Sequence, residues 1–403
     1  MNIAIVYGGS FPCGGLASAQ HILSYSKGLI KLGHNVCVLT LQPTKKKNIP
    51  SNTNTQVNGM YEGVDYYYPS RTIYWPEGLF SVFKKIAIKI KNVFGVYKYL
   101  IKNNIDVVVF VISEGLDYRI WALVCRLSHY RFVIERTELS PVYKDQQLYN
   151  SYIRGRLYKR FVEKGFSYPD SWIVETQTLQ DYYQHFAKKK ADFYILPMTV
   201  EVDRFCTSTK ANKTEDEYLA YCGNMREDDG ITILIEAFKK ISDAYPDLKL
   251  KLAGYSNDTP KQKELVQKLG LEERVCFLGR IDRESIPVFL INAKLLVLAS
   301  PTSLRSCATM PCKVGEYLCT SVPVVVTALG EINRYLKDGV SAYLAKPDSS
   351  DSFAEKLNEA LSDSENRRFE IGKRGQKVAV DNFSADTQAR CLENIFLSIN
   401  DLL

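Results

Sequence analysis

The stretch Pro311–Thr327 reads P-C-K-V-G-E-Y-L-C-T-S-V-P-V-V-V-T and predicts a short helix that runs directly into a buried strand. Its Lys313 and Glu316 stand three residues apart at the start of that helix. A helix N-terminus carries unpaired N–H groups and about half a positive charge, so Lys313 beside it favours an anion. Glu316, one turn further on, is placed to accept hydrogen bonds from a diol. The pair suits the diphosphate and the ribose of a nucleotide sugar.

A simpler interpretation of the same spacing stays open. A lysine and a glutamate at i and i+3 on an exposed helix commonly form only a weak surface pair. The neighbouring sequence favours the binding site, because A-K-L-L-V-L-A-S (293–300) and V-P-V-V-V-T (322–327) read as strands buried on both faces of a parallel sheet. Ligands of open α/β sheets bind at the carboxyl ends of such strands.

Length and composition predict a soluble protein of two domains. A chain of 403 residues is too long to form a single hydrophobic core. Its composition, with 46% hydrophobic and 24% charged residues, is that of an ordinary globular protein. The ten cysteines are scattered, without C-x-x-C or a Cys/His cluster, which disfavours structural zinc and predicts reduced thiols in the cytoplasm. No basic segment precedes the first apolar residues and no apolar run reaches about 18 residues, so neither a signal peptide nor a membrane span is expected.

The net positive charge lies in the first half of the chain. Residues 1–200 hold 25 Lys and Arg against 14 Asp and Glu, whereas residues 201–403 hold 27 against 31. The segment Gly78–Ile105 has no acid, and its six lysines are residues 84, 85, 89, 91, 98 and 102. Its apolar residues recur at helical spacing, namely Phe80, Phe83, Ile86, Ile90, Val93, Tyr97 and Leu100. Two interpretations remain open, a helix on an anionic membrane surface and a core-facing helix with a solvated lysine face. Nucleic acid is not an expected partner, since no reader motif accompanies the basic residues.

Strands and helices alternate in two series, which predicts an α/β fold of two Rossmann-like, doubly wound parallel-sheet domains facing each other across a cleft. The predicted domains are 1–198 and 199–384, and the helix 385–403 can pack back on the first domain. The cleft is the default active site. The polar segment Lys45–Asn58 reads as a loop. The predicted strands are 2–7, 35–40, 106–112, 131–134, 171–175, 218–222, 248–253 and 275–278, and the predicted helices include 16–32, 148–164, 230–245 and 261–269.

The first loop, G-G-S-F-P-C-G-G (8–15), does not spell the dinucleotide fingerprint G-x-G-x-x-G. The second strand ends Thr40-Leu41-Gln42, without the acid that would hold an adenosine ribose, so an NAD enzyme is disfavoured. Gly14 and Gly15 can let backbone N–H groups approach an anion at the start of the next helix. A purely structural turn is the alternative.

In the order of its motifs the chain resembles the retaining glycosyltransferases of family 4, also called glycosyl transferases group 1, which have the GT-B fold. The resemblance covers nearly the whole chain. It is carried by G-G (14–15), I-L-P-M-T-V-E-V-D-R-F (195–205), Y-C-G-N-M-R-E-D-D-G-I (221–231), L-K-L-A-G (250–254), V-C-F-L-G-R-I (275–281), P-x-K-x-x-E-Y-L (311–318) and G-E-I-N-R-Y-L-K-D-G (330–339).

This resemblance implies transfer of a sugar from an NDP-sugar to a saccharide acceptor, with retention at the anomeric carbon and without a metal or other cofactor. By it, Glu316 holds the ribose, and Lys313 with an arginine stabilises the leaving diphosphate. The base lies near Arg280 and Ile281. The donor-site candidates that complete this set are Gly14, Gly15, Gly223, Asn224, Arg305, Thr309, Met310, Pro311 and Tyr317. The acceptor is a saccharide or a lipid-linked saccharide, in surface or capsular polysaccharide synthesis, at the inner face of the membrane if residues 78–105 bind it.

Three positions depart from the family pattern. Ala308 stands where the first of two paired glutamates is usual, Asn224 where an arginine is common and Asp229 where a lysine is common. Arg226 is the expected replacement cation, with Arg305 as a second candidate. Asp228 and Asp229 should turn away from a diphosphate unless a cation intervenes, which leaves Arg226 to face the ligand.

The family's first-domain histidine is also absent from V-I-E-R-T-E-L-S-P (133–141). Glu135, Arg136 and Glu138 there are acceptor-site candidates or members of a buried charge network. Two other functions remain open, a nucleotide-sugar epimerase and a relative that binds a nucleotide sugar without turnover.

Overall fold

The protein is described by a computed structural model that covers residues 1–12, 17–45, 56–112, 116–140, 153–206 and 217–400. The chain divides into two compact units. The first comprises Met1–Pro197 with Ala385–Leu403, and the second comprises Met198–Ser384. Each unit contains a mostly parallel sheet with helices in its crossovers, which confirms the predicted fold class of two Rossmann-like domains.

The sheet of the first unit follows from its apolar runs. Its strand order is β3-β4-β2-β1-β5-β6-β7-β8, and every neighbouring pair is parallel except β3 and β4. Central strand β1 is buried from Ile3 onward, as expected of a strand covered on both faces. The strands are β1 (Asn2–Tyr7), β2 (Asn35–Thr40), β3 (Asn58–Tyr61), β4 (Val64–Tyr67), β5 (Val107–Val111), β6 (Val133–Arg136), β7 (Ser171–Val174) and β8 (Asp192–Ile195).

The helices of the first unit connect these strands. They are α1 (Ala17–Lys31), α2 (Ser81–Lys102), α3 (Leu116–Leu127), α4 (Ile153–Gly165) and α5 (Gln177–Gln184). Because β4, β5 and β6 are parallel, the helix that follows each of them begins at the carboxyl edge of the sheet. Consistent with this, α2 contacts α3 and α3 contacts α4.

The second unit has a six-stranded, wholly parallel sheet in the order β11-β10-β9-β12-β13-β14. The strands are β9 (Tyr218–Cys222), β10 (Lys249–Ala253), β11 (Val275–Gly279), β12 (Leu295–Leu298), β13 (Val324–Thr327) and β14 (Tyr343–Ala345). The helices are α6 (Val202–Cys206), α7 (Ile231–Ser242), α8 (Thr259–Lys268), α9 (Ile286–Ile291), α10 (Leu304–Ala308), α11 (Cys312–Cys319), α12 (Ile332–Tyr335), α13 (Ser350–Ser362) and α14 (Glu365–Phe383).

The C-terminal helix α15 (Ala385–Asn400) belongs to the first unit and packs on α1. Close approach is possible because α1 has a glycine there. A Cβ at Gly28 would lie 2.6 Å from the carbonyl oxygen of Ala385 and 2.7 Å from the Cβ of Ala389. Leu392 and Phe396 of α15 are buried in the first unit's core.

Four strands, β3, β4, β8 and β14, were not predicted from the sequence, and all lie at or next to a sheet edge. Strand β3 is polar in part (N-G-M-Y), and its partner β4 alternates polar and apolar residues. Strand β8 is half-buried along its length. Short edge strands of this kind lack the continuous apolar run that predicts a central strand. The predicted loop 45–58 ends where β3 begins, and its residues 46–55 lie outside the described ones.

Helix α2 forms where the basic amphipathic stretch predicts it, but only its C-terminal half enters the core. Its buried residues are Asn92, Val96 and Leu100. Phe83 and Ile90 of the N-terminal half are exposed, so the core-facing interpretation fails for that half. In the part of the chain that the structure describes, no helix has the combination of length and apolar character that crossing a bilayer requires.

Candidate functional site

The candidate site lies at the carboxyl edge of the second sheet. The strand order reverses between β9 and β12, and this is the place where open α/β sheets bind ligands. Loop 223–230 follows β9, and residues 299–311 follow β12 and lead into α11. Lys313 and Glu316 are both on α11, so the predicted pair stands at the switch point of the sheet.

Two glycines bring the loop after β9 against its neighbours. Gly223 has a φ of 155°, and a Cβ there would lie 2.1 Å from Cε of Lys313. Gly230 has a φ of 79°, and a Cβ there would lie 1.8 Å from the carbonyl oxygen of Ala299, at the end of β12. A positive φ with no room for a side chain requires glycine at both positions.

Lys313 is held by two groups from the strand and loop of β9. Its Nζ donates to the hydroxyl oxygen of Tyr221 at 2.7 Å and to Oδ1 of Asp229 at 2.7 Å. Burial lowers the pKa of Lys313, and the charge of Asp229 opposes that shift. Asp229 therefore meets the condition under which it was not expected to turn away, because Lys313 is the intervening cation, and a largely buried ammonium takes the nearest carboxylate as its partner.

Two arginines complete the cationic side of the site. Arg226 is exposed, and its Nε lies 3.7 Å from Oδ2 of Asp229. Arg305 lies close enough to Lys313 that its charge contributes to lowering the pKa of that lysine. Arg305 thus lies near Lys313, and Arg226 lies on the other side of Asp229 from Lys313.

Glu316 faces a different cation. Its Oε1 lies 3.9 Å from Nη1 of Arg204 on α6. Burial raises the pKa of Glu316, and the charges of Arg204 and Arg283 oppose that shift. Arg204 is fixed in turn by donating to the backbone carbonyl of Arg283. Lys313 and Glu316 therefore have separate partners and do not form the weak surface pair of the simpler interpretation.

Several donor-site candidates contribute to the scaffold. The hydroxyl of Tyr317 accepts from the backbone N–H of Cys222 at 2.7 Å and donates to its carbonyl at 3.2 Å, which ties α11 to the end of β9. The side chain of Met310 is 2% exposed and lies in the hydrophobic core, so only its backbone can line a donor sugar. The hydroxyl of Thr309 donates to the carbonyl of Arg305 at 2.9 Å.

The other donor-site candidates lie along the same edge. Pro311 directly precedes α11, and Arg280 and Ile281 follow β11, with Arg280 exposed. The side chain of Asn224 is exposed, and its carbonyl accepts from the hydroxyl of Tyr221. Gly14 and Gly15 lie outside the described residues.

The acceptor candidates of the first unit divide between two roles. Glu135 is buried, its Oε1 lies 2.7 Å from Nε2 of His21, and its Oε2 accepts from the hydroxyl of Tyr25 at 3.1 Å. Arg136 donates to the carbonyl of Ile112 and to the hydroxyl of Tyr183, both at 3.1 Å. Glu135 is thus part of a buried network, Arg136 is half-buried with different partners, and Glu138 has an exposed side chain. The role of the three at the acceptor site stays a prediction.

Sequence reasoning missed three residues of these networks. Arg204 and Tyr221 stand within motifs 195–205 and 221–231, but nothing in the motifs shows that they meet α11. His21 lies on α1, where a lone histidine at helical spacing carries no signal of a distant carboxylate. Only the fold brings each of them to its partner.

Comparison with known proteins finds a family model that matches most of the second unit. The model of the family described as glycosyl transferases group 1 matches residues 206–378. A curated relative, the lipopolysaccharide 1,2-N-acetylglucosaminetransferase of Salmonella typhimurium, is 24% identical over 241 residues, covering 55% of this chain and 60% of that enzyme. The chain spans 38% to 60% of the length of the first curated relatives that it matches.

Solved structures resemble the whole chain. Sucrose-phosphate synthase from Thermosynechococcus elongatus has a TM-score of 0.72 at 16% identity, with 100% of both chains covered. Anabaena HepE, in complex with UDP and glucose, has a TM-score of 0.68 at 15% identity, with 98% of this chain and 99% of that chain covered. At these identities the likeness shows the fold alone.

Proposed function

We propose, from the membership of residues 206–378 in the glycosyl transferases group 1, that this protein is a retaining glycosyltransferase that moves a sugar, of hexose type, from an NDP-sugar to a saccharide acceptor without a metal ion. The observation that carries the proposal is the placement of Lys313 and Glu316 on one helix at the switch point of the second sheet. The cation there matches the diphosphate of a nucleoside diphosphate, and the carboxylate matches its ribose hydroxyls.

Glu316 is proposed to accept hydrogen bonds from the ribose hydroxyls. Arg204 lies 3.9 Å from its carboxylate and Tyr317 ties its helix to β9, so the helix that carries Glu316 is held in place before the ligand arrives. A preorganised group stabilises a ligand more than a mobile one, because less freedom is lost on binding.

Lys313, Arg226 and Arg305 are proposed to hold the diphosphate. In the transfer, the bond between the anomeric carbon and the diphosphate oxygen breaks, and the electron pair leaves with the diphosphate. The acceptor hydroxyl forms the new bond on the same face of the sugar, and its proton passes to the departing diphosphate. Cations already aimed at the leaving group stabilise the charge that develops on it.

The acceptor is proposed to be a saccharide of a surface polysaccharide or a related glycan, lipid-linked and presented at the inner face of the membrane. The Salmonella relative is a lipopolysaccharide transferase by name, which supports this class. Peripheral contact through residues 78–105 is part of the proposal, since most apolar residues in the N-terminal half of that segment are exposed beside its lysines.

A second candidate is a relative that binds a nucleotide sugar without turnover. It is favoured by Asp229, which occupies Lys313, and by Ala308, which is completely buried and presents no acid at its position. Binding without transfer would be the outcome that supports it.

The test begins with the full chain and a panel of nucleoside diphosphates in a thermal-shift assay, followed by the matching radiolabelled NDP-sugars with a membrane extract as acceptor. We expect one diphosphate to stabilise the protein and its sugar to be incorporated, in the presence and absence of EDTA. The anomeric configuration of the product, read by NMR, is expected to match that of the donor.

Lys313→Ala and Glu316→Gln are expected to abolish or strongly reduce incorporation. Lys377→Ala and Glu370→Gln on α14 are the matched controls, since both side chains are exposed and remote in sequence from α11. Stabilisation by a diphosphate with no incorporation from any donor would support the non-catalytic relative. An inverted product would overturn the retaining mechanism.

A further inference from the structure

Helix α2 presents an unusual surface in its N-terminal half. Leu79 just before it is 94% exposed and Phe83 within it is 71% exposed, and the other exposed apolar residues of the segment are Phe80, Val82, Ile86, Ile90, Phe94 and Ile101. The six lysines of the segment are exposed among them. Exposed apolar residues of this number and size indicate a surface that another phase or molecule covers.

The neighbouring helices continue this surface. Exposed apolar residues occur on α3 at Ile120, Leu123 and Leu127 and on α4 at Ile153 and Leu157. Helix α4 adds exposed basic residues, Arg154, Arg156, Arg160 and Lys164, and its acid Glu163 lies 3.9 Å from Lys159. Contacts of α2 with α3 and of α3 with α4 place the three helices side by side.

The position of this surface is set by topology. Helices α2, α3 and α4 follow parallel strands β4, β5 and β6, so each begins at the carboxyl edge of the first sheet. The exposed half of α2 is its N-terminal half, and Ile153 and Leu157 are in the first turns of α4. Most exposed apolar residues of α2, and Ile153 and Leu157 of α4, therefore lie toward the edge where this sheet would bind a ligand. Leu123 and Leu127 extend the surface along α3, away from that edge.

The positive charge of this surface distinguishes between two possible partners, a second copy of the chain and a lipid bilayer. A second copy of the chain would bring the lysines of one α2 against those of the other, with no acid in Gly78–Ile105 to compensate them. A bilayer with anionic headgroups accepts both features at once, since lysines meet phosphates while Phe and Ile side chains enter the boundary of the acyl chains.

We infer that the surface formed by α2, α3 and α4 docks on an anionic lipid bilayer and so places the carboxyl edge of the first sheet at the membrane, where the acceptor is a saccharide on a lipid anchor. The inference that this surface docks on a bilayer depends only on the exposed apolar and basic residues of α2, α3 and α4. The acceptor class rests on the proposed glycosyltransferase function and deepens the peripheral contact proposed with it.

The docking is tested with the full chain by flotation with vesicles of phosphatidylcholine alone and with about a third phosphatidylglycerol. We expect binding only to the anionic vesicles, weakened by salt. Substitution of Phe83, Ile86 and Ile90 by Ser, or of Lys84, Lys85, Lys89 and Lys91 by Gln, is expected to lower the partition coefficient more than about tenfold. Failure of the wild-type chain to float, or flotation unchanged in both variants, would overturn the docking.

Two controls separate this inference from folding and from the proposed function. Phe369→Ser with Val380→Ser, and Lys373→Gln with Lys377→Gln, change exposed residues of α14 in the second unit and are expected to leave flotation unchanged. Nucleoside diphosphate binding, measured by calorimetry, is expected to be the same in the α2 variants as in the wild type, which shows that the second unit is intact.

The acceptor class is tested by transfer from radiolabelled NDP-sugar in the presence of membranes. We expect label in the fraction extracted by organic solvent, and a parallel loss of that label in the α2 variants. Equal label in water-soluble product from wild type and variants would overturn the lipid-anchored acceptor. Flotation without incorporation from any donor would overturn the transferase and the acceptor class with it, while the docking surface would stand.

Discussion

The Nζ of Lys313 on α11 lies 2.7 Å from Oδ1 of Asp229, which is 84 residues away in the loop after β9. Both side chains are mostly buried, so each is the main compensation for the other's charge. A diphosphate that binds Lys313 must compete with this carboxylate or displace it. Asp229 therefore sets how much of the lysine's charge a ligand can use.

Asp229→Asn is expected to have opposite effects on folding and on binding. Loss of the carboxylate leaves the Lys313 ammonium without its ion pair, which should lower the free energy of unfolding by about 1 to 3 kcal/mol. Affinity for UDP, or for the diphosphate selected by thermal shift, should rise about three- to tenfold in calorimetry because the competitor is gone. Asp228→Asn, an exposed neighbour, is the control and should change neither quantity. Weaker binding in Asp229→Asn would mean that Asp229 orients Lys313 instead of competing for it.

Arg204 is expected to act on the ribose through Glu316. Glu316→Gln should weaken UDP binding by about 1.5 to 3 kcal/mol but leave 2′,3′-dideoxy-UDP binding nearly unchanged, because only the hydroxyls lose a charged acceptor. Arg204→Met should reduce the difference in affinity between UDP and 2′,3′-dideoxy-UDP, since the carboxylate loses the neighbouring cation. Calorimetry with both nucleotides checks this, with Arg374→Met on α14 as the control. Full discrimination in Arg204→Met would remove Arg204 from any positioning role.

Central strands and the two groups on α11 could be predicted from the sequence, because their signals are local. Strand β9 was predicted at its observed bounds as a short apolar run, and Lys313 and Glu316 are close in sequence. The partners of Lys313 and Glu316 could not be predicted, because Asp229 and Arg204 are on other elements and come close to α11 only in the folded domain. A departure from a family pattern, such as Asp229, shows a changed charge but not which residue that charge meets.

The helical period of α2 was equally visible, but a period does not say what covers the apolar face. Phe83 and Ile86 belong to the predicted apolar spacing but are exposed, whereas of the buried residues Asn92, Val96 and Leu100 only Leu100 belongs to it. The core therefore contacts a different face of the helix, which the predicted spacing shares only at Leu100. Edge strands β3 and β8 were not predicted for a related reason, because one-sided packing leaves polar residues in them.

Gly230→Ala is expected to destabilise the second unit far more than Gly270→Ala. Both glycines have a positive φ, 79° and 65°, so both variants share the backbone strain of about 1 kcal/mol. A Cβ at Gly270 would meet nothing within 4 Å, whereas one at Gly230 would lie 1.8 Å from the carbonyl oxygen of Ala299. That clash with backbone should add at least about 2 kcal/mol, measured as the difference between the urea unfolding curves of the two variants. Equal losses would mean that the loop after β9 shifts without cost, and the site would then be less rigid than its hydrogen bonds indicate.

The pair formed by His21 and Glu135 is expected to make stability depend on pH. Burial alone would lower the pKa of His21, but the charge and hydrogen bond of Glu135, aided by Glu175, outweigh it and raise the pKa above the usual 6.5. A histidine whose folded pKa is raised stabilises the fold fully below 6.5 and loses that contribution as pH rises through the folded pKa.

His21→Gln should therefore be less stable than the wild type by about 1 to 3 kcal/mol near pH 5.5, with the difference shrinking toward pH 9. Urea unfolding at three pH values measures the difference, and NMR titration of the His21 ring should give a midpoint above 6.5. His185→Gln, at an exposed position, is the control and should show no such trend. A stability difference that is constant with pH would mean that His21 stays neutral, and Glu135 would then be held by Tyr25 and a neutral imidazole instead of by an ion pair.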